Sequence, residues 1–177
     1  MLLTYGLPNQ GMNDSFTIYA YAFDKEGNNV LIGSRRITSR NSTNTSPFGA
    51  IDTPTQGGMA SGTGFVNFGW ALTPQPKSIA TDGSTLLVYV DGVNLGHPHY
   101  GYARADIQEA FPGYANTNTA VGYYELDTTK YANGVHTISW TVWDSANVMT
   151  GIGSRYFTIF NGSGGAPLKA PSSGLSA

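Results

Sequence analysis

The stretch VHTISWTVWDSANVMTGIGSRYFTIF at residues 135–160 has an earlier counterpart, SFTIYAYAFDKEGNNVLIGSRRITSR, at residues 15–40. Asp24 and Asp144 lie 120 residues apart, and other identities occur at the same offset without a gap. The matching residues of the first copy are Thr17, Ile18, Asp24, Ile32, Gly33, Ser34, Arg35 and Thr38. A match of this kind predicts an internal repeat.

The first copy has the alternation of a β-strand. Residues 15–23 place Ile18, Ala20 and Ala22 on one side, and their neighbours Tyr19, Tyr21 and Phe23 on the other. A turn composition follows at 24–28, and a second strand is predicted at 30–38. The pattern therefore predicts a hairpin.

The chain before this hairpin is too short for a whole domain of the repeated kind. Residues 1–40 are predicted to be a partial domain, its last two or three strands, with a candidate third strand at 2–5. Two or three strands without an opposing layer are marginal in water. We expect the missing strands to come from another chain, or the segment to be a cleavage product that leans on its neighbour.

The rest of the chain divides by composition. Residues 41–47 are a polar linker, 48–160 a complete domain, and 161–177 a Gly/Pro/Ser-rich tail that is expected to be disordered. Strands are predicted at 48–53, 64–72, 85–90, 93–96, 122–127, 135–144 and 151–160. A helical segment is predicted at 104–111, and residues 97–101 are expected to be irregular.

Alternating apolar residues predict the core of this domain. The predicted core residues are Val66, Phe68, Trp70, Leu86, Val88, Val90, Ile138, Trp140, Val142 and Phe157. About seven short strands separated by regular turn signals predict an all-β, antiparallel β-sandwich.

Composition limits the function. A net charge of −2 creates no long-range field for nucleic acid or an anionic membrane, and no apolar run approaches the roughly 20 residues that span a bilayer. Cysteine is absent, so disulfides and thiolate metal sites are excluded. Residues 1–5 lack the pattern of a signal peptide.

Metal and catalytic sites have weak support. His97 and His99 could join Asp106 or His136 around zinc, but zinc needs at least three convergent ligands. The other candidates are the aspartates Asp52, Asp82 and Asp91 for calcium, and Glu26, Glu109 and Glu125 for acid–base catalysis. No nucleophile elbow, Walker loop or dinucleotide fingerprint is present, and we expect no cofactor and no enzymatic activity.

Aromatic residues are the strongest candidates for binding. The set Tyr89, Tyr100, Tyr102, Tyr114, Tyr123 and Tyr124 suits either a sugar-stacking platform or a subunit contact. The predicted interface or ligand surface is Tyr19, Tyr21, Phe23, Tyr100, Tyr102 and Tyr114. Arg35 and Arg155 hold equivalent repeat positions and are expected to pair within the sandwich or to cap a loop.

Several short motifs between residues 47 and 160 carry a family resemblance. They are PFGAIDTP (47–54), GWAL (69–72), VYVDGV (88–93), ARAD (103–106), AFPG (110–113), LDTT (126–129) and ANGVHT (132–137). Together they resemble bacterial immunoglobulin-like domains that recur in tandem in secreted and surface proteins. The resemblance implies an immunoglobulin-like sandwich, an extracellular or cell-surface location, a structural or adhesive role, and no catalytic residues.

These expectations combine into one hypothesis. The chain is a non-catalytic subunit of a surface fibre or similar assembly, in which strands complete sheets between copies of the chain. The alternatives are an adhesive or spacer domain of a larger secreted protein, and a carbohydrate-binding module that contacts glycan.

Overall fold

The computed structural model describes residues 15–38 and 45–162, which belong to two compact units. Of the described residues, 15–38 belong to the smaller unit and 46–162 to the larger one. The candidate strand at 2–5, most of the predicted linker and the tail beyond Gly162 lie outside the described residues.

The smaller unit is a hairpin of β1 (Ser15–Phe23) and β2 (Asn29–Thr38). The described part of the larger unit contains ten strands. They are β3 (Phe48–Ile51), β4 (Met59–Ala60), β5 (Phe65–Pro74), β6 (Leu86–Val90), β7 (Val93–Gly96), β8 (His99–Tyr102), β9 (Tyr114–Ala115), β10 (Val121–Leu126), β11 (Gly134–Trp143) and β12 (Met149–Ile159).

Two short helices interrupt the strands of the larger unit. Helix α1 spans Ala105–Ala110, and a single 3-10 turn spans Thr128–Lys130. Within the described ranges, no helix has the length and apolar character that a membrane span requires.

The strands of the larger unit form two sheets. One has the order β3-β5-β10-β8, with β9 pairing β5, and the other has the order β4-β12-β11-β6-β7. In the usual lettering these are A-B-E-D and A′-G-F-C-C′. All pairs are antiparallel except β4 with β12. The larger unit is therefore an immunoglobulin-like β-sandwich.

Trp140 on β11 is the central side chain of the core. Its surface is 0% exposed, and its Nε1 donates a hydrogen bond to Asn67 Oδ1 at 2.6 Å. Gly69 on β5 and Gly122 on β10 lie beneath the ring, where an added Cβ would come within 3.3 and 3.4 Å of it. An added Cβ would also come within 3.1 Å of the Ala50 carbonyl oxygen at Gly69 and within 2.7 Å of the His99 carbonyl oxygen at Gly122, so the indole and the neighbouring strands together leave room only for glycine.

This arrangement corrects the prediction for β5. Val66, Phe68 and Trp70 were predicted to face the core, but Asn67 and Gly69 face it instead. Val66 is half-buried, Phe68 is 41% exposed, and Trp70 is half-buried in a second cluster. Alternation defines two faces without saying which is inside, and here the interior face is the one that accommodates Trp140.

The second apolar cluster lies outside the sandwich core, beneath α1. Leu72 and Ile107 are buried there, and Phe48, Trp70 and Phe111 pack against them. Their rings contact edge-on or tilted, with centroids 5.2–5.9 Å apart. The helix therefore covers part of the outer face of β5.

The other predicted core positions are buried. Each has no more than 1% of its surface exposed: Leu86, Val88, Val90, Ile138, Trp140, Val142 and Phe157.

The segment at residues 97–101 differs from its irregular prediction. Strand β8 starts at His99 and pairs with β10, with a shift of register between Val121 and Gly122. Gly101 has φ +100°, a conformation that favours glycine. The irregular register hides the alternation that would have indicated a strand.

We expect Trp140→Ala to lower the free energy of unfolding by about 3–5 kcal/mol, through the cavity alone. The unpaired Asn67 Oδ1 adds about 1–3 kcal/mol. Phe68→Ser should cost no more than about 1 kcal/mol because this ring faces outward. Denaturant unfolding followed by fluorescence and circular dichroism measures both, and a larger loss for Phe68→Ser would contradict the assigned face of β5.

Candidate functional site

The hairpin of β1 and β2 repeats the pairing of β11 and β12. All nine residue pairs of β1–β2 recur in β11–β12 at the 120-residue offset, from Ser15 with Thr38 to Phe23 with Asn29. Both hairpins shift register at the same place, after Ala20 in one and after Trp140 in the other. The two hairpins thus have equivalent inner and outer faces.

The turns of the two hairpins are also equivalent. Asp24 Oδ1 accepts a hydrogen bond from the amide of Asn28 at 2.8 Å, and Asp144 Oδ1 accepts one from the amide of Val148 at 3.1 Å. Gly27 and Asn147 occupy the same turn position, with φ +87° and +58°. An aspartate that binds backbone amides therefore closes each hairpin.

The surroundings of the two hairpins differ. Ile138 and Ile152 are 0% and 4% exposed, whereas their counterparts Ile18 and Ile32 are 48% and 68% exposed. In the sandwich, β6 pairs with β11, β4 pairs with β12, and the opposite sheet covers the inner face. Among the described residues, β1 and β2 form a sheet of two strands. Within residues 15–38 and 45–162, the inner face of this hairpin is therefore equivalent to a core surface but remains exposed.

The outer face of β1 is apolar as well. Tyr19, Tyr21 and Phe23, which were predicted to form an interface, are all exposed on it. Their partners across the strand pair are Ser34, Leu31 and Asn29.

Arginine is placed identically in both hairpins. Arg155 Nη2 donates to the carbonyl oxygen of Ile51 at 3.0 Å, so it joins β12 to β3 of the opposite sheet. Its counterpart Arg35 is exposed, and among the described residues its side chain has no hydrogen bond. The pairing expected within the sandwich occurs for Arg155.

A second candidate surface lies on the outer face of the sheet β5-β10-β8. Phe68, His99, Tyr102 and Tyr123 form what we call the aromatic surface. His99 stacks on Tyr123 at 4.9 Å between ring centroids, Tyr102 lies 5.5 Å from Tyr123, and Phe68 lies 6.1 Å from it. Phe68 and Tyr102 are the most exposed of its large apolar side chains.

Polar groups lie within this aromatic surface. A hydrogen bond with Tyr102 raises the pKa of the Tyr123 hydroxyl, and desolvation and the charges of Tyr102 and Glu125 add to this effect. Glu125 is exposed two residues beyond Tyr123 on β10. The surface therefore combines ring faces with hydroxyl and carboxylate groups.

The predicted tyrosines do not lie together. Tyr102 lies on the aromatic surface, but Tyr100 is only 7% exposed, and its hydroxyl donates to the carbonyl oxygen of Ala71 at 2.8 Å. Tyr100 is thus a core residue rather than part of a surface, and burial raises its pKa. Tyr114 packs against Phe48 and Phe111 at the second cluster.

Two tyrosines of the wider candidate set also lie elsewhere. Tyr89 is on β6 of the other sheet, and Tyr124 packs against the core with its hydroxyl bonded to Leu95. Phe68 was missed as a surface residue because alternation assigned it to the core.

The three histidines have separate roles. His97 Nδ1 bonds to the carbonyl oxygen of Leu86 at 2.7 Å, His99 belongs to the aromatic surface, and His136 Nδ1 lies 2.6 Å from Asp91 Oδ2. In residues 15–38 and 45–162, no group of three His, Cys, Asp or Glu side chains is arranged to hold a metal ion.

The candidate calcium aspartates have other partners. Asp52 forms an ion pair with Arg104, which also binds Asp106. Asp82 accepts hydrogen bonds from Ser84. Asp91 binds His136 and the amide of Thr137.

Asp144 is a buried charge that fastens a loop to the second hairpin. Its side chain is fully buried, and Lys77 Nζ lies 2.8 Å from Asp144 Oδ2. Burial alone would raise the pKa of Asp144, but hydrogen bonds from Lys77 and from the amides of Val148 and Ala146 lower it below the ordinary value.

Comparisons with known proteins give distant structural likenesses. No family model matches the chain, and no curated protein matches it. A structure of fibronectin(III)-like modules of CbhA from Clostridium thermocellum is 16% identical, with a TM-score of 0.40 over 84% of this chain and 62% of that one. An endo-β-1,4-mannanase from Thermotoga petrophila is 14% identical, with a TM-score of 0.42 over 66% of this chain and 20% of that one.

We expect acid to weaken the contribution of Asp144 to stability. Because folding lowers its pKa, this contribution is present above the unfolded value of about 3.8 and is lost as the pH falls through the lower folded value. Asp144→Asn should therefore unfold at lower denaturant than the wild type at neutral pH, and the difference should shrink below pH 3.8. The exposed Glu109→Gln is the control, and a difference independent of pH would contradict the assignment.

Proposed function

We propose that this chain is a non-catalytic structural module of an extracellular or cell-surface assembly. Its β1–β2 hairpin is the final strand pair of a second immunoglobulin-like sandwich, which strands of another polypeptide complete. The observation that carries this proposal is that the hairpin has the register of β11–β12 but the exposure of an uncovered core.

The hairpin has strong physical reasons to be covered. Two-stranded sheets alone are marginal in water, and exposed strand edges present unpaired amides and carbonyls to other strands. A polypeptide that adds strands to these edges supplies backbone hydrogen bonds, and its side chains cover the apolar face. Burial of Ile18 and Ile32 on that face then stabilises the complex.

Completion of this kind supports an extended assembly. The hairpin and the strands that cover it are different surfaces, so the two sides of the contact are not equivalent. Such head-to-tail contacts do not close unless the geometry forms a ring, and they propagate into fibres. The proposed partners are therefore other proteins of the same fold, whose strands join this chain in the fibre.

The polar groups of the sandwich support a structural role. The aspartates Asp52, Asp91 and Asp144 hold loops and turns through ion pairs and amide hydrogen bonds. These bonds connect parts of the sandwich to one another. Their removal is therefore expected to lower the stability of the fold.

Limited proteolysis with trypsin tests the assembly. The hairpin contains Lys25, Arg35 and Arg36, while Lys130 is an exposed cleavage site in the sandwich and serves as the internal control. In the recombinant chain alone, we expect the hairpin sites to be cut rapidly. In surface material from the source cells they should be protected at least about tenfold, because completed strands open rarely. Equal cleavage in both preparations would refute the proposal.

A second candidate function is carbohydrate binding by the aromatic surface. The axial C–H groups of a pyranose ring pack on aromatic faces, and neighbouring hydroxyl and carboxylate groups bind its hydroxyls. The observation that favours this function is the placement of exposed Phe68 and Tyr102 around Tyr123, with Glu125 on the same face.

A glycan array tests this second function. If it is correct, Phe68→Ala and Tyr102→Ala each weaken binding about tenfold through loss of a stacked ring. Tyr89→Ala, on the opposite sheet, is the matched control and should bind as the wild type does. Binding that survives both aromatic-surface variants would exclude this site.

A further inference from the structure

The register of the hairpin also indicates which strands can cover it. Resting on the proposed function, we infer that the covering strands are the first half of an immunoglobulin-like sandwich whose sequence differs from this chain. They carry larger apolar side chains, opposite Ala20, Ala22 and Ile37, than this chain presents opposite Trp140, Val142 and Phe157. A second copy of this chain is therefore not the strand donor.

The strands β3 to β10 of this chain are shaped for Trp140. The two glycines leave room for the ring, and Asn67, fully buried, accepts the indole hydrogen bond. In the β1–β2 hairpin the equivalent residue is Ala20. If β1–β2 took the place of β11–β12, an indole-sized cavity would open, and Asn67 Oδ1 would lose its donor.

Other side chains on the inner face of the hairpin are also smaller than their counterparts in β11 and β12. Ala22 stands where β11 has Val142, and Ile37 stands where β12 has Phe157. A facing sheet must fill this lost volume, because protein interiors are close-packed. Larger side chains on the donor strands fill it.

The rim of the hairpin differs as well. His136, which binds Asp91 beside the β6–β7 turn, is replaced by Phe16. A second copy would place Asp91 against an apolar ring, without its histidine. The donor should therefore present an apolar group at the place of Asp91.

The hydrogen bond from the hairpin arginine to the first strand of the opposite sheet can form with any donor, and it defines how the donor is oriented. Arg155 reaches a backbone carbonyl of β3, and Arg35 occupies the same register position. Any first strand that runs like β3 offers such a carbonyl, whatever its side chains. The donor then pairs a β6-like strand with β1 and a short parallel strand with β2.

A complementation assay between full-length chains tests the inference. The acceptor is Trp140→Asp, in which the cost of burying an unpaired carboxylate is expected to weaken the packing of β11 against β5 and β10. Its isotope-labelled form is titrated with the wild-type chain, with Ala20→Trp, or with Tyr21→Trp as the matched control. The control adds the same side chain to the opposite face of β1. Hydrogen exchange reports protection of acceptor strands β5 and β10.

We expect Ala20→Trp to protect the acceptor with an affinity at least about tenfold higher than that of the wild type or the control. Equal protection by the wild-type chain would overturn the inference, because a second copy would then suffice, and would leave the proposed function intact. If neither the wild type nor Ala20→Trp protects the acceptor, register equivalence does not lead to completion and the inference fails, whereas the proposed function is decided separately by the protection of the hairpin from trypsin.

A second measurement does not depend on the folding of these variants. Hydrogen exchange of β1 and β2 in the wild-type chain should be independent of its own concentration, because copies do not complete one another. Protection that rises with concentration would overturn the inference and support assembly between copies.

Discussion

The packing of Trp140 between the sheets is the constraint on which the sandwich depends. The ring lies against glycine on β5 and on β10, where the carbonyl oxygens of Ala50 and His99 also leave no room for a side chain, and it donates to a buried amide oxygen on β5. This requirement turns the larger side chains of β5 outward. There they form two features: Trp70 packs beneath α1, and Phe68 joins the aromatic surface. A single interior side chain thus determines what the outer face of the sheet presents.

Local signals allowed much of the fold to be predicted from the sequence. The Asp–Gly pair at 91–92 predicts the turn between β6 and β7, and both residues have the positive φ that a tight hairpin turn requires. Strand alternation on either side of a turn composition predicts a hairpin at residues 15–38, and the structure has one there. These features depend on neighbours in sequence, or on an internal copy of the same pattern.

Features that depend on the opposite sheet could not be predicted in this way. The alternation of β5 is equally regular on both faces, and only the position of Trp140 decides between them. Tyr100 resembles any surface tyrosine in sequence, yet its hydroxyl satisfies a buried carbonyl on a neighbouring strand. His99 and Phe68 come from separate strands, and their proximity follows from pairing through β10.

The turn at Asp24 also affects the thermodynamics of association. Its carboxylate holds the amide of Asn28, so the two strands keep their register through short-range contacts. Part of the conformational entropy is therefore lost before any partner arrives, and less remains to be lost at the encounter. The hairpin remains marginal in water until it is covered, but the turn restricts the registers that its two strands can offer to an incoming strand.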